Sequence, residues 1–154
     1  MLGISPVVMF LMGVTILLSA CSDSQQKAAE HMLERADMLF GQQHYDRALI
    51  VIDSLRKNYP TAIDIRKQAL VLQQNIELKR SQEELAVLDS TLQAIKRDYE
   101  QQKHQVDKAK AELRATAEEL TMLTKTRVRC DSLQTRYDVL CAKIRYIHKK
   151  QKEQ

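Results

Sequence analysis

Three cysteines and four histidines are the side chains best equipped for chemistry in this 154-residue chain. A nucleophilic thiol needs a base beside it, and a metal ion needs several ligands converging on one point. His31, His44, His104 and His148 are scattered, and none has a second His or a Cys four residues on. The chain contains no HExxH, CxxC or GxSxG, and its three glycines build no phosphate-cradling loop. Asp and Glu alternate with Lys and Arg, which suits solvated helix faces. No nucleophile, base and oxyanion donor come together. The expectation is a protein that is not an enzyme and holds no metal or cofactor.

One cysteine stands apart by its position. Met1 to Ala20 carries no charged side chain and is mostly apolar, so it reads as an export h-region or a membrane anchor. At its end, Leu18-Ser19-Ala20-Cys21 resembles the lipobox of bacterial lipoproteins. The resemblance implies cleavage between Ala20 and Cys21 and acylation of Cys21, with palmitate-type chains holding the protein to a membrane. Several acyl chains anchor stably where one would not. In the same resemblance, Asp directly after the cysteine favours the inner membrane. Ser22 stands there instead and points to the outer membrane. The leader departs from the usual pattern in having no Lys or Arg before its apolar run.

The elements that must carry these residues are helical. Beyond the leader only Gly41 and Pro60 remain of the glycines and prolines, which argues against a sheet with several tight turns. Residues 21–27 read as a polar tether with Asp23 and Ser24 as N-cap candidates. Ala29, Met32/Leu33, Ala36 and Leu39/Phe40 recur at helical spacing, and Gly41 offers a C-cap through its access to positive φ. A second stripe runs through Tyr45, Ala48/Leu49, Ile52, Leu55 and Tyr59, ended by Pro60. Thr61-x-x-Asp64 opens a third, with Ile65, Ala69, Leu72 and Ile76 inward. Ala36, Tyr45, Ala48 and Pro60 stand at positions where this segment resembles one tetratricopeptide (TPR) repeat, although that family's early Trp-Leu-Gly is absent. One repeat is fewer than such stacks need, so it would lean on a partner, a second copy or the next helix.

From Leu85 a heptad follows. Its a positions are Leu85, Leu92, Tyr99, Val106, Leu113 and Leu120; its d positions are Leu88, Ile95, Gln102, Ala109, Thr116 and Leu123. So strict a 3.5-residue repeat predicts a coiled coil. Gln102 reads either as a flaw in the coil or as a register-setting polar pair. Asp98 at g faces Lys103 at e of a parallel partner, which favours a parallel homodimer. After Leu123 the phase slips, and Leu133, Tyr137, Leu140, Ile144 and Ile147 form a new stripe. A stutter in one helix or a turn within 124–132 would explain this. The favoured expectation is a single rod from Thr61 onward, about 140 Å long if wholly helical.

The net charge of +4 sits in the tail: residues 141–154 hold Lys143, Arg145, Lys149, Lys150 and Lys152 against Glu153. In an exported protein this patch suits lipid head groups or wall polymers and not nucleic acid. It equally suits a helix end whose lysines complement the dipole. Cys130 and Cys141, eleven residues apart, lie about 16 Å apart on one helix, too far for an intrachain bond. Cys130 falls at an a position of the last stripe, so an interchain Cys130–Cys130 disulfide is expected in a parallel dimer.

The sequence therefore predicts an all-α fold: a TPR-like hairpin with a capping helix, running into a long coiled-coil helix. Its divisions are a signal peptide (1–20), the acylated tether (21–27), the TPR-like segment (28–78), the heptad coil (79–123) and a basic C-terminal helix (124–154). Function is expected to be that of a lipid-anchored envelope scaffold engaging an unknown envelope protein. The alternative is a tether from outer membrane to cell wall through the basic tail.

Overall fold

The computed structural model describes the backbone of residues 6–153 and the side chains of residues 24–153. Four helices make up the described chain: α1 Pro6–Gly41, α2 Tyr45–Asn58, α3 Ile63–Ala111 and α4 Ala117–Lys152. The protein is all-α, with no strand among the described residues. It divides into two compact units, Met1–Ile76 and Glu77–Gln154. Ser24 to Lys27 continue α1 and do not open it, so no helix start falls at the predicted Asp23–Ser24 cap.

In the first unit the three predicted stripes meet. Ala29 and Ala36 of α1 pack with Ala48, Ile52 and Leu55 of α2 and with Ile65, Ala69, Leu72 and Ile76 of α3. Ala29, Ala36, Ala48 and Ala69 are completely buried; a methyl side chain lets helix backbones approach closely. Burial of Ile52, Leu55 and Ile76 supplies the larger apolar contribution, about 1.5–3 kcal/mol each. Around this core Phe40 and Tyr45 bring their rings to 6.1 Å across the α1–α2 turn.

The end of α1 corrects the expectation placed on Gly41. Gly41 is the last helical residue and does not take positive φ; Gln43 does, at φ 61°. The N–H of Gln43 donates to the Phe40 carbonyl (2.9 Å) and that of His44 to the Leu39 carbonyl (2.9 Å). These two bonds are a Schellman motif with Gln43 as the left-handed residue. α2 ends where Pro60 predicts, and the Pro60 carbonyl then accepts a hydrogen bond from Arg66 Nη1 at 2.8 Å.

The second unit is an antiparallel hairpin of the remainder of α3 and α4, and this corrects the expected rod. The seam on α3 is as predicted: Leu88, Leu92 and Val106 are buried, and Leu85, Ile95, Tyr99, Gln102 and Ala109 are half-buried. It stops at Ala111. Leu113 takes φ 56° and is 95% exposed. Its N–H donates to the Lys110 carbonyl (3.0 Å), and the Arg114 N–H donates to the Ala109 carbonyl (2.8 Å), a second Schellman motif. Thr116 then caps α4: its Oγ1 accepts from the Glu119 N–H (3.2 Å), while the Thr116 N–H donates to the Glu119 carboxylate (2.8 Å). This reciprocal capping box starts a helix in a new direction. Leu113, Thr116 and Leu120, assigned to the seam by the heptad, are all exposed. The phase slip reflects a turn at 112–116, ahead of the 124–132 stretch.

From Leu123 the second stripe resumes at heptad spacing. Thr126, Cys130, Leu140 and Ile147 are buried; Leu133, Tyr137 and Ile144 are half-buried. Polar contacts across the hairpin fix the antiparallel register: Lys143–Glu77 (2.6 Å), Arg136–Glu84 (3.4 Å), Lys96–Gln134 (2.8 Å) and Thr126–Gln102 (3.0 Å). As one residue number rises its partner's falls.

Candidate functional site

One concave feature of the first unit lies between α1 and α3. Leu33, Glu34 and Asp37 of α1 and Gln68, Val71, Leu72 and Asn75 of α3 line an open groove of about 350 Å³. It exists because α1 and α3 both pack inward through small or branched residues, Ala36 and Ala69 among them, which leaves the flanking side chains as walls. Leu33 is half-buried, Val71 is 43% exposed and Leu72 is buried, so the floor is apolar and partly wet. The α1 wall is acidic. Glu34 accepts a contact from His31 Nδ1 at 3.3 Å, with both side chains facing solvent. Gln68 lies in the α3 wall, and its amide can donate and accept. The groove can hold an apolar side chain while two carboxylates meet a neighbouring cation.

A second groove, between α2 and α3, has the opposite sign. Arg56, Ile63, Arg66, Lys67 and Leu70 line about 230 Å³. Its cations are partly engaged: Arg56 Nη1 donates to Gln73 Oε1 (3.1 Å), and Lys67 lies 3.5 Å from Asp64. Arg66 Nε is buried without a hydrogen-bond partner.

Of the residues singled out by sequence, Ala20 and Cys21 lie on the backbone of α1, and their side chains fall outside the described residues. Among the described residues no helix is long and apolar enough to cross a membrane. Ala36 and Ala48 are brought together in the α1–α2 core, Tyr45 packs beside it, and Pro60 closes α2 at the surface. Cys130 and Cys141 are free thiols. Cys130 is buried in the hairpin seam, and that burial, with the Asp131 carboxylate, raises its pKa above the ordinary thiol value. Cys141 is half-buried; it interacts with the Tyr137 hydroxyl, one turn earlier, and raises the pKa of that group. In the basic tail Lys143 is engaged by Glu77, and Lys149 and Lys150 by Glu153. Among the described residues no three of His, Cys, Asp and Glu gather to hold a metal ion.

Sequence reasoning did not single out the α1–α3 groove. Glu34 and Asp37 were legible only as solvated charges, since the groove depends on how two helices cross. Gln102, by contrast, forms a polar pair, and its partner is Thr126 of the same chain. The chain matches no protein-family profile, no curated protein and no solved structure. What the fold defines is an all-helical protein with four helices among the described residues, two long helices packed together.

Proposed function

We propose that the protein is a non-catalytic scaffold of the bacterial envelope. Acyl chains on Cys21 hold it to a membrane, the outer in preference to the inner, and its first unit docks a protein partner. Support for the anchor is the lipobox-like Leu18-Ser19-Ala20-Cys21 directly after an uncharged apolar run. Support for a TPR-like docking unit is the burial of Ala36 and Ala48 where two helices cross, Pro60 after the second, and a third helix covering both. The observation that carries the docking reading is the groove itself, with Leu33, Val71 and Leu72 as its floor and Glu34 and Asp37 on one wall. That combination suits a segment presenting an apolar side chain beside Lys or Arg.

A photoreactive residue in place of Val71 tests the docking directly. In envelope preparations it is expected to give discrete adducts that vanish when Glu34 and Asp37 are both changed to Lys. Adducts that persist unchanged in that variant, or none at all, would remove the groove from the reading. The anchor is tested separately by Cys21→Ser, which should release the protein from the detergent-extracted membrane fraction and remove the acyl mass. Unchanged fractionation and mass would end the lipoprotein assignment.

A further inference from the structure

The hairpin uses one face of α4 and leaves another bare. Opposite the seam, Val128, Ser132, Thr135, Val139, Ala142 and Tyr146 follow one another at alternating spacings of four and three residues. All six are exposed, Val128 at 61%, Val139 at 62% and Tyr146 at 61%. No charged residue interrupts the row. An exposed face with that 3.5-residue repeat is a second coiled-coil seam on a helix that already has one. Covering it strands no hydroxyl of Thr135, because its Oγ1 already donates to the Asp131 carbonyl at 2.9 Å.

The charges beside the row say what covers it. In the register that places Ser132, Val139 and Tyr146 at a and Val128, Thr135 and Ala142 at d, Asp131 and Asp138 fall at g. Arg136 and Lys143 fall at e. A parallel, in-register copy brings each g residue against the e residue five positions on in its partner. Asp131 therefore meets Arg136 of the partner, and Asp138 meets Lys143 of the partner; against these two attractive pairs stands one like-charge pair, Arg145 with Lys150 of the partner, where Lys150 is already engaged by Glu153 of its own chain. An antiparallel copy sets the Arg136–Lys143 flank against itself. In the monomer Arg136 and Lys143 already lean on Glu84 and Glu77 of α3, so each cation would lie between two carboxylates. Exposed pairs contribute little attraction of their own. They set direction, and Val128, Val139, Ala142 and Tyr146 supply the attraction.

We infer that α4 pairs in parallel with α4 of a second copy of this chain through its Val128–Val139–Tyr146 face, leaving the intrachain seam intact. The pairing is independent of the docking groove. It also differs from the sequence expectation in its surface, because the Leu85–Ala109 seam is filled by the chain's own α4.

The test uses the full chain in detergent with Cys21→Ser, Cys130→Ser and Cys141→Ser, so that an introduced thiol at the row is the only one in the chain. Under mild oxidation, Ala142→Cys, a d position, should give a disulfide-linked dimer on a non-reducing gel. Adding Val139→Lys should abolish that dimer while helix content by circular dichroism stays unchanged, since Val139 is exposed in the monomer. In mixtures of Val128→Cys and Ala142→Cys chains, the expected products are the two like-with-like dimers. A mixed 128–142 product in their place would show antiparallel pairing and overturn the inference. So would a band indifferent to Val139→Lys, or no band for Ala142→Cys.

Discussion

Thr126 donates a hydrogen bond from its Oγ1 to Gln102 Oε1 at 3.0 Å, joining α4 to α3 across a mostly apolar seam. Gln102 Nε2 is held in turn by the Asp98 carboxylate at 3.1 Å. Both partners of a buried polar pair must be present or both absent, because an orphaned group keeps its desolvation cost. Thr126→Val alone should therefore cost about 1–3 kcal/mol. Adding Gln102→Leu should recover much of it, and urea unfolding of the two single variants and the double provides the cycle. Additive losses would mean that the bond contributes nothing as a pair.

Leu113 sits in the left-handed region, which costs a branched L-residue about 1–2 kcal/mol. Its side chain is almost wholly solvated, so removing it forfeits little packing. Leu113→Gly should raise stability by about 1 kcal/mol and the thermal midpoint by a few degrees. A fall in the midpoint would mean that the unfolded-state entropy of glycine outweighs the relief.

Glu119 gives the hairpin an acid limit. The Thr116 N–H, and then its hydroxyl, donate to the carboxylate and hold its pKa below the usual carboxylate value. A depressed folded-state pKa means stability that is present above the unfolded value and lost as pH falls through the folded one. Glu119→Gln should thus flatten the loss of stability on the acid side of pH 4.5, the ordinary value, and change less of the neutral-pH behaviour. Thr116→Ala, which removes the cap itself, should cost about 1 kcal/mol at neutral pH. Denaturation midpoints at pH 3 and pH 7 check both.

The two thiols on α4 should differ in reactivity. Cys130 is buried with its pKa raised, so little thiolate is present and little of the sulfur is accessible without local opening. Cys141 is partly solvated. Iodoacetamide under native conditions should label Cys141 first, and Cys130 only at the rate at which the hairpin opens; in urea the two rates should converge. Equal native rates would place Cys130 outside the seam.

Ser81 is 1% exposed, and its Oγ has no hydrogen-bond partner. Replacing it with Ala removes a polar atom that is desolvated without compensation. Ser81→Ala should stabilise the hairpin by about 1 kcal/mol. A loss measured by urea unfolding would point to a partner that the hydroxyl acquires in solution.

The helices were legible because their buried faces are regular. Leu85, Leu88, Leu92, Ile95, Tyr99, Val106 and Ala109 announce the α3 seam by spacing alone, and Pro60 marks the end of α2 by its chemistry. The α1–α2 and α3–α4 turns were not legible, because both use a left-handed residue that is not glycine. Gln43 and Leu113 carry no compositional signal, and the nearby Gly41 drew the cap two residues too early. Thr116-x-x-Glu119 was a readable capping box, but the seam register claimed Thr116 as a d residue and hid it. The groove of Leu33, Glu34, Asp37, Val71 and Leu72 depends on a crossing between helices that no local pattern encodes.

Closing the seam by residues 112–116 of the same chain makes it a unimolecular event. A short turn holds the two halves at an effective concentration set by its length, so dilution does not dissociate them. The contacts nearest the turn are also nearest in sequence, so the hairpin can zip from Ala109 and Leu123 outward, with little loop entropy lost at each step. A newly made chain would therefore hold its long helices together at any copy number.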